Sequence, residues 1–188
     1  MLCGIDEAGR GPLAGPLVVV GVILKEKVEG LNDSKQLSEK KREKLFDEIK
    51  QKSFYHVVFT DSKTIDEKGL SACLKLSIKE IMENLKKEAS SFLMDGNTSF
   101  GIQNLQYKIK ADATVEEVSA ASILAKVSRD NYMKEIALKF PKYIFEKHKG
   151  YGTKAHIELI KEYGRCEEHR TTFKIKGIDD ILNQDSLF

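Results

Sequence analysis

The feature that most constrains the fold is an eight-residue run, Leu17–Leu24, which is almost continuously apolar and mostly β-branched. A Gly/Pro-rich segment, residues 9–16, separates it from a shorter apolar run at residues 1–5. Apolar runs bounded by Gly and Pro are typical of strands, and a strand without polar alternation is typical of a sheet covered on both faces. The sequence therefore predicts two strands joined by a tight loop, with the second at the centre of a sheet.

Strands and helices are predicted along the rest of the chain. Further strands are expected at residues 54–60, 91–94 and 105–109. Ser38 is a candidate N-cap for a charged helix that runs to about residue 50, and apolar residues spaced by three or four predict a helix over 71–88. Residues 114–117 have the Thr-x-x-Glu form of a capping box, and Thr153 precedes a helix that ends at Gly164. This order of elements favours an α/β layered domain with a helical C-terminal portion.

The composition excludes several classes of protein. The 188 residues include 31 Lys+Arg and 29 Asp+Glu, a net charge of +2, which argues against a uniformly basic chain that coats phosphate. A hydrophobic fraction of 41% is typical of a globular domain, and the length suits one domain. Three cysteines without CxxC spacing predict no disulfide framework. Since no apolar signal segment or membrane-spanning run is evident, we expect a cytoplasmic protein without membrane contact.

Carboxylates follow the predicted strands at two places. Asp6 and Glu7 come directly after the first strand, and Asp95 follows a later one. Strand ends are where α/β sheets position their sites, although neighbouring residues on an extended strand point to opposite faces. Clustered carboxylates tend to protonate unless divalent cations neutralise them, and Mg²⁺ prefers oxygen ligands. A lone Asp-Gly is more often an ordinary turn, but the whole stretch 6–16 after a buried strand weakens that interpretation.

Residues 6–16, DEAGRGPLAGP, resemble the N-terminal signature of the ribonuclease HII family. Further segments resemble the family's other motifs in the same order, over residues 2 to about 173: DSKQLS at 33–38, DGN at 95–97, KAD at 110–112, SAASILAK at 119–126, HKGYGT at 148–153 and HR at 169–170. Two departures are small. Ala111 stands where many members have Gly, and the segment HRTTF at 169–173 has Thr where Ser is commoner.

The resemblance implies a ribonuclease H-like α/β fold with a mixed five-stranded sheet flanked by helices. Residues 1–140 would form the catalytic core, 141–183 a helical extension that contributes to substrate binding, and 184–188 a clamp-binding tail. The implied activity is hydrolysis of the phosphodiester 5′ to a ribonucleotide in RNA·DNA hybrids and in duplex DNA with embedded ribonucleotides. The products would be a 3′-hydroxyl and a 5′-phosphate.

The resemblance also assigns roles to individual residues. Four carboxylates, Asp6, Glu7, Asp95 and Asp112, would be catalytic and would hold two ions of Mg²⁺ or Mn²⁺. One ion would activate the attacking water and the other would stabilise the leaving oxygen. The backbone of Gly9, Arg10 and Gly11 would recognise the ribose 2′-hydroxyl, which distinguishes RNA from DNA.

Two single residues would extend that recognition. Tyr151 would pack on the sugar of the following deoxynucleotide, and Lys35 would contact a phosphate near the cut.

Two further clusters leave alternatives open. Residues 141–176 hold nine Lys/Arg and five Glu, a net charge of +4 that suits phosphate binding but also a solvated helix surface. This part of the chain contains three of the four histidines and a cysteine, whose spacing fits no compact zinc module: His148, His156, Cys166 and His169.

The last five residues, QDSLF, resemble the short peptide by which many bacterial replication and repair proteins bind the sliding clamp. Gln184, Leu187 and Phe188 are the candidate contacts, and a frayed terminus is the alternative. We expect the enzyme itself to be a monomer. Two rival functions remain at this point: another metal-dependent nuclease of the same superfamily, and a non-catalytic protein that binds hybrid duplexes.

Overall fold

A mixed sheet forms the centre of the fold, which a computed structural model describes for residues 1–31 and 37–179. In that part of the chain the sheet has five strands in the order β3-β2-β1-β4-β5. Their bounds are β1 Leu2–Ala8, β2 Leu17–Leu24, β3 Ser53–Thr60, β4 Ser91–Asp95 and β5 Leu105–Lys108. β1 pairs antiparallel with β2 and parallel with β4, and β3 and β5 form the two edges.

Helices cover both faces of this sheet. The described residues contain six: α1 Glu39–Lys52, α2 Ser62–Lys68, α3 Leu70–Leu85, α4 Glu116–Lys139, α5 Phe145–His148 and α6 Lys154–Tyr163. Alternate residues of β2 enter two separate cores. Leu17, Val19 and Ile23 pack with residues of α2 and α3, whereas Val18, Val20 and Val22 pack with residues of α1 and α4. The predicted burial of this strand on both faces is therefore confirmed, although the middle strand of the five is its neighbour β1.

The long helix α4 lies directly against β1. A Cβ at Gly4 would lie 2.3 Å from backbone atoms of Glu117 and Val118, so only glycine permits this approach. The neighbouring stretch of α4 is made of small buried residues, residues 119–122. This packing brings the N-terminal half of α4 to the strand that carries Asp6 and Glu7.

The C-terminal part of the described chain packs around the far end of α4. A third core joins Met133 and Ile136 of α4 to Tyr143 and Phe145, and it also contains Ala14 of the Gly/Pro segment. Ala14 forms an isolated β-bridge with His169. Residues 141–179 therefore pack against the segment between β1 and β2.

Most predicted elements are present, with three corrections. β1 does not end at residue 5 but continues to Ala8, so Asp6 and Glu7 lie within the strand and pair with Val20 and Val19 of β2. The capping box at Thr114 is wrong, because α4 has Val115 at its N-cap and no side-chain cap hydrogen bond. Helix α2, which contributes Ile65 to the core, was not predicted.

The predicted caps Ser38 and Thr153 are confirmed, each accepting a hydrogen bond from the backbone of its helix. The domain boundary at residue 140 stays a prediction. Within the described ranges, no helix has the length and apolar character needed to cross a membrane.

Candidate active site

Three aspartates from separate parts of the sequence meet at one end of the sheet. Carboxylate oxygens of Asp6, Asp95 and Asp112 all lie within 4.8 Å of one another. Asp6 is on β1 and Asp95 ends β4, and since Ile5 is paired with Met94, the parallel register brings the next two residues side by side. Asp112 lies in a short 3-10 turn, Ala111–Ala113, that precedes α4.

Backbone hydrogen bonds fix this aspartate triad. The Ala111 amide donates to Oδ1 of Asp95 at 2.7 Å, which ties the end of β4 to the turn that carries Asp112. The Glu7 amide donates to Oδ1 of Asp6 at 2.7 Å. The turn begins at Lys110 in the left-handed region, with φ of +58°, which directs the chain back toward the sheet.

The electrostatics of the triad suit a bound cation. Burial raises the pKa of the Asp6 carboxyl well above its usual value, and the neighbouring charges of Glu7 and Asp95 raise it further. Carboxylates crowded in this way are stabilised in their charged form by a divalent cation, and oxygen donors are what Mg²⁺ and Mn²⁺ prefer. The donor set therefore fits a hard divalent metal, with Asp6, Asp95 and Asp112 as the residues that would hold it.

Glu7, the fourth predicted carboxylate, is beside the triad and not part of it. Its Oε1 accepts a hydrogen bond from Nη1 of Arg10 at 3.2 Å. Glu7 nevertheless borders the same cavity as Asp6 and Asp95. The structure thus brings three of the four predicted ligands together and leaves the ligand role of Glu7 as a prediction.

The cavity beside the triad has a volume of about 250 Å³. It is bordered by most of the predicted site residues and by three others: Asp6, Glu7, Ala8, Gly9, Arg10, Gly11, Asp95, Ser122, Lys126 and Tyr151. Tyr151 is 43% exposed and therefore accessible to a ligand. Lys35, Gln184, Leu187 and Phe188 lie outside the described residues, so their predicted roles stay predictions.

Ser122 and Lys126 were missed as site residues. They are four residues apart on α4 and so share one helix face, which is the signal in the sequence that could have identified them. The Ser122 hydroxyl is hydrogen-bonded to Asp6. The Lys126 ammonium lies 2.7 Å from Oδ1 of Asp130 and adds a positive charge to the wall of the cavity.

The two glycines of the Gly-Arg-Gly segment have different structural requirements. Gly9 has φ of +96°, and a Cβ there would lie 2.4 Å from Nε of the buried Arg129. A Cβ at Gly11 would meet no atom within 4 Å. The fold therefore requires glycine at position 9, whereas at position 11 only something outside the protein could require it.

The histidine cluster does not form a metal site. His148, His156 and His169 are close together, but their ring nitrogens are engaged in hydrogen bonds with one another and with the backbone. Among the residues that the structure describes, the aspartate triad is the one group of three or more potential ligands with converging atoms. The zinc alternative is therefore not supported.

Similar proteins are known both by sequence and by structure. The family model of ribonuclease HII matches residues 3–176. The ribonuclease HII of Aliarcobacter butzleri is 72% identical over 189 aligned positions, which cover 100% of this chain and 98% of the relative. That of Sulfurovum sp. is 52% identical and covers 95% of this chain and 94% of the relative. The chain belongs to the ribonuclease HII family.

Solved structures agree with this assignment. The complex of PCNA with RNase HII from Archaeoglobus fulgidus contains a chain that aligns with a TM-score of 0.80 and 29% identity, over 96% of this chain and 99% of that one. Ribonuclease H2 of Pyrococcus horikoshii aligns with a TM-score of 0.77 and 28% identity, over 100% and 99%. The predicted ribonuclease H-like fold is confirmed. As a member of this family, the chain is a metal-dependent endoribonuclease that acts on RNA–DNA hybrids.

Proposed function

We propose that this enzyme cuts the phosphodiester on the 5′ side of a ribonucleotide, in RNA·DNA hybrids and in duplex DNA with single embedded ribonucleotides. The observation that carries the proposal is that Asp6 and Asp95 of the triad, the Gly9–Gly11 backbone and the exposed Tyr151 ring border one cavity. A strand that enters this cavity can present a phosphate to the carboxylates and the adjoining ribose to the loop at the same time.

Bound Mg²⁺ or Mn²⁺, of which we expect two with substrate, would supply an activated water and neutralise the charge that develops on the phosphate. Asp6, Asp95 and Asp112 would hold these ions, with Glu7 as the fourth ligand. Lys126 contributes a positive charge that attracts the scissile or a neighbouring phosphate. The products would be a 3′-hydroxyl and a 5′-phosphate.

The loop at Gly9–Gly11 accounts for selectivity. The open space above Gly11 lets a sugar approach the backbone closely enough for backbone groups to hydrogen-bond the 2′-hydroxyl. Tyr151 would pack on the sugar of the following nucleotide, where a deoxyribose fits closely, and Lys35 would bind a phosphate. All of these roles rest on the family resemblance, and those of the loop and Tyr151 rest also on the cavity that they share.

A clamp-binding role for the tail is a separate proposal. The segment 184–188 ends in Leu187 and Phe188, two apolar anchors that a pocket on a sliding clamp could bury, with Gln184 as a polar contact. A structural relative from Archaeoglobus fulgidus was solved in a complex with PCNA. Both observations support a sliding clamp as the partner.

One cleavage assay tests the proposed activity. A DNA duplex with one ribonucleotide is incubated with the enzyme and Mg²⁺, and the cut is mapped to the nucleotide. We expect a single cut 5′ to the ribonucleotide, a 3′-hydroxyl on the upstream fragment, and loss of cleavage with EDTA. Comparable cleavage of an all-DNA duplex would favour the rival nuclease. Binding without turnover in any divalent metal would favour a non-catalytic binder.

A further inference from the structure

We propose that two buried arginines, Arg129 and Arg170, are positioning residues that hold the Gly9–Gly11 backbone and Tyr151 in one arrangement. They would thereby set the enzyme's preference for a ribonucleotide that is followed by a deoxynucleotide. The inference rests on the proposed function, because that function assigns ribose recognition to the loop and the following sugar to Tyr151.

Arg170 holds the segment between β1 and β2, which we call the glycine loop (residues 9–16). Its Nη2 donates to the Gly9 carbonyl at 2.6 Å and to the Gly15 carbonyl at 2.8 Å. Its Nη1 donates to the Arg10 carbonyl at 3.1 Å, and its Nε to Gly15 at 3.1 Å. One guanidinium therefore bridges the two ends of the loop and turns the carbonyls of Gly9 and Arg10 inward.

Arg129 connects the same loop to the region of Tyr151. Its Nε donates to the Pro16 carbonyl at 2.9 Å and its Nη2 to the Ala14 carbonyl at 3.0 Å. Its Nη1 donates to the Lys149 carbonyl at 2.9 Å, and its guanidinium lies 5.6 Å from the centre of the Tyr151 ring. A single side chain thus contacts both elements to which substrate recognition is assigned.

The two arginines are buried to a degree that is unusual for this residue type. Arg129 is 1% exposed and Arg170 is 0% exposed. Their hydrogen bonds named above all go to backbone carbonyls, so partial negative charges surround both guanidiniums. A guanidinium has five donors in a fixed fork, and a lysine ammonium cannot reproduce that geometry. The arrangement is thus specific for arginine, and the two guanidiniums fix the positions of the loop carbonyls.

Direct backbone contacts strengthen the connection that Arg129 makes. The Leu13 amide donates to the Gly150 carbonyl at 2.8 Å. A Cβ at Gly150 would lie 2.2 Å from the Ala14 carbonyl oxygen, so the two segments are in close contact. A shift of the loop therefore also shifts the backbone that carries Tyr151.

The different contacts of the two arginines predict different effects on substrate choice. Arg170 contacts the loop, so its replacement should impair cleavage next to any ribonucleotide. Arg129 contacts the loop and Tyr151, so its replacement should impair cleavage most where a deoxynucleotide follows. A merely structural role would instead lower the melting temperature, while kcat per folded enzyme and the ratio of the two activities would stay at the wild-type values.

The test compares Arg170→Lys, Arg129→Lys and the wild-type chain with Mg²⁺ on two substrates. The junction substrate is duplex DNA with one ribonucleotide, and the hybrid substrate is a continuous RNA strand paired with DNA. For Arg170→Lys we expect kcat to fall about ten-fold or more on both substrates, with KM changed by less than about three-fold. For Arg129→Lys we expect the ratio of junction to hybrid kcat/KM to fall about ten-fold.

A matched control is Arg165→Lys. Arg165 also donates to a backbone carbonyl, that of Phe173, and pairs with Asp179, but it contacts neither the loop nor Tyr151. Both activities of this variant should stay within about two-fold of wild type. Calorimetric titration with Mn²⁺ should give the wild-type affinity for all three variants, because the triad is held by other contacts.

Circular dichroism melting establishes that each variant is folded at the assay temperature. If Arg129→Lys fails to fold, Arg129→Met, which removes the buried charge, is measured instead with the same expected ratio. An unchanged ratio of junction to hybrid kcat/KM in a folded Arg129 variant would overturn the inference but not the proposed function. An unchanged kcat in Arg170→Lys would do the same. Failure of the wild-type enzyme to cut the junction substrate would overturn the proposed function, and the inference with it.

Discussion

Nε2 of His156 lies 3.1 Å from Nε2 of His169, and the two buried imidazoles share one hydrogen bond. The other ring nitrogens determine its direction. The Cys166 amide donates to Nδ1 of His169 at 2.9 Å, so that nitrogen carries no proton and Nε2 is the donor. His156 accepts at Nε2 and donates from Nδ1 to the Tyr151 carbonyl at 2.9 Å. Both rings are therefore neutral. Through Nδ1 of His156, the pair is hydrogen-bonded to the backbone of Tyr151, which borders the cavity.

This pair predicts a loss of stability in mild acid. Burial lowers the pKa of His156 and of His169 to about 4. The charge of His148 lowers the pKa of His156 further, and the charge of His156 lowers that of His169 further. The histidines of the unfolded chain have a pKa near 6.5, so between about pH 4 and pH 6.5 the unfolded chain binds more protons than the folded chain. The free energy of unfolding should therefore fall as the pH drops from about 6.5 to about 4, by about 3 kcal/mol for one histidine. Urea unfolding at a series of pH values measures this.

A substitution isolates the contribution of the pair from that of the carboxylates. His156→Gln should flatten the pH dependence over this window, because one neutral buried imidazole has been removed. Gln106→Ala, which changes an exposed side chain without a titratable group on the edge strand β5, should retain the wild-type slope. Equal slopes in all three proteins would contradict the assignment of neutral rings.

Asp95→Asn should nearly abolish cleavage while the fold is retained. Asparagine keeps an acceptor for the Ala111 amide but removes a negative charge from the triad. We expect kcat with Mg²⁺ to fall by at least about a hundred-fold, because metal binding weakens. Affinity for a ribonucleotide-containing duplex, measured by fluorescence anisotropy, should change little. Asp47→Asn, at an exposed position on α1, is the control, and near-wild-type activity of Asp95→Asn would contradict the metal assignment.

The strands could be predicted because each is a β-branched or apolar run bounded by turn residues. β2 was predicted with its exact bounds, since Pro16 precedes it and charged residues follow it. Helix α2 could not be predicted from the sequence, because it is seven residues long and buries only Ser62 and Ile65. The predicted cap of α4 was wrong, because the N-cap is Val115 in an extended conformation. The Thr114 hydroxyl instead donates to the carbonyls of Lys110 and Ala111 in the preceding turn.

The site was predicted to the extent that its motifs are local in sequence. The residues of the triad lie at or next to the ends of strands and turns that the pattern indicates, and the family resemblance names them. Arg129 and Arg170 could not be assigned a role from the sequence, since arginine is normally exposed and their partner carbonyls in the glycine loop are more than a hundred residues away. Only folding of the chain brings these two guanidiniums into contact with the glycine loop.

Deletion of residues 184–188 tests the clamp proposal. We expect the truncated enzyme to lose retention on a sliding clamp in a pull-down or surface-binding assay, because both apolar anchors are gone. Cleavage of a short duplex should stay at the wild-type rate, since that reaction needs no clamp. The double substitution of Leu187 and Phe188 by Ala should match the deletion. Retention that is unchanged by the deletion would exclude the tail as the binding segment.

Gly11→Ala tests recognition of the ribose with little effect on the fold. The added Cβ meets no protein atom within 4 Å, so the free energy of unfolding should change by less than about 1 kcal/mol. The methyl group would occupy the space through which a sugar approaches the backbone, and we expect kcat/KM on a single-ribonucleotide duplex to fall about ten-fold or more.

Gly9→Ala is the contrasting variant, because its Cβ would collide with Arg129 and the Pro16 carbonyl and its φ is +96°. It should lower the free energy of unfolding by about 1–3 kcal/mol in the same urea titration. Together the two variants separate a glycine that the substrate requires from one that the fold requires. Wild-type activity of Gly11→Ala would show that the ribose does not approach the loop at this residue.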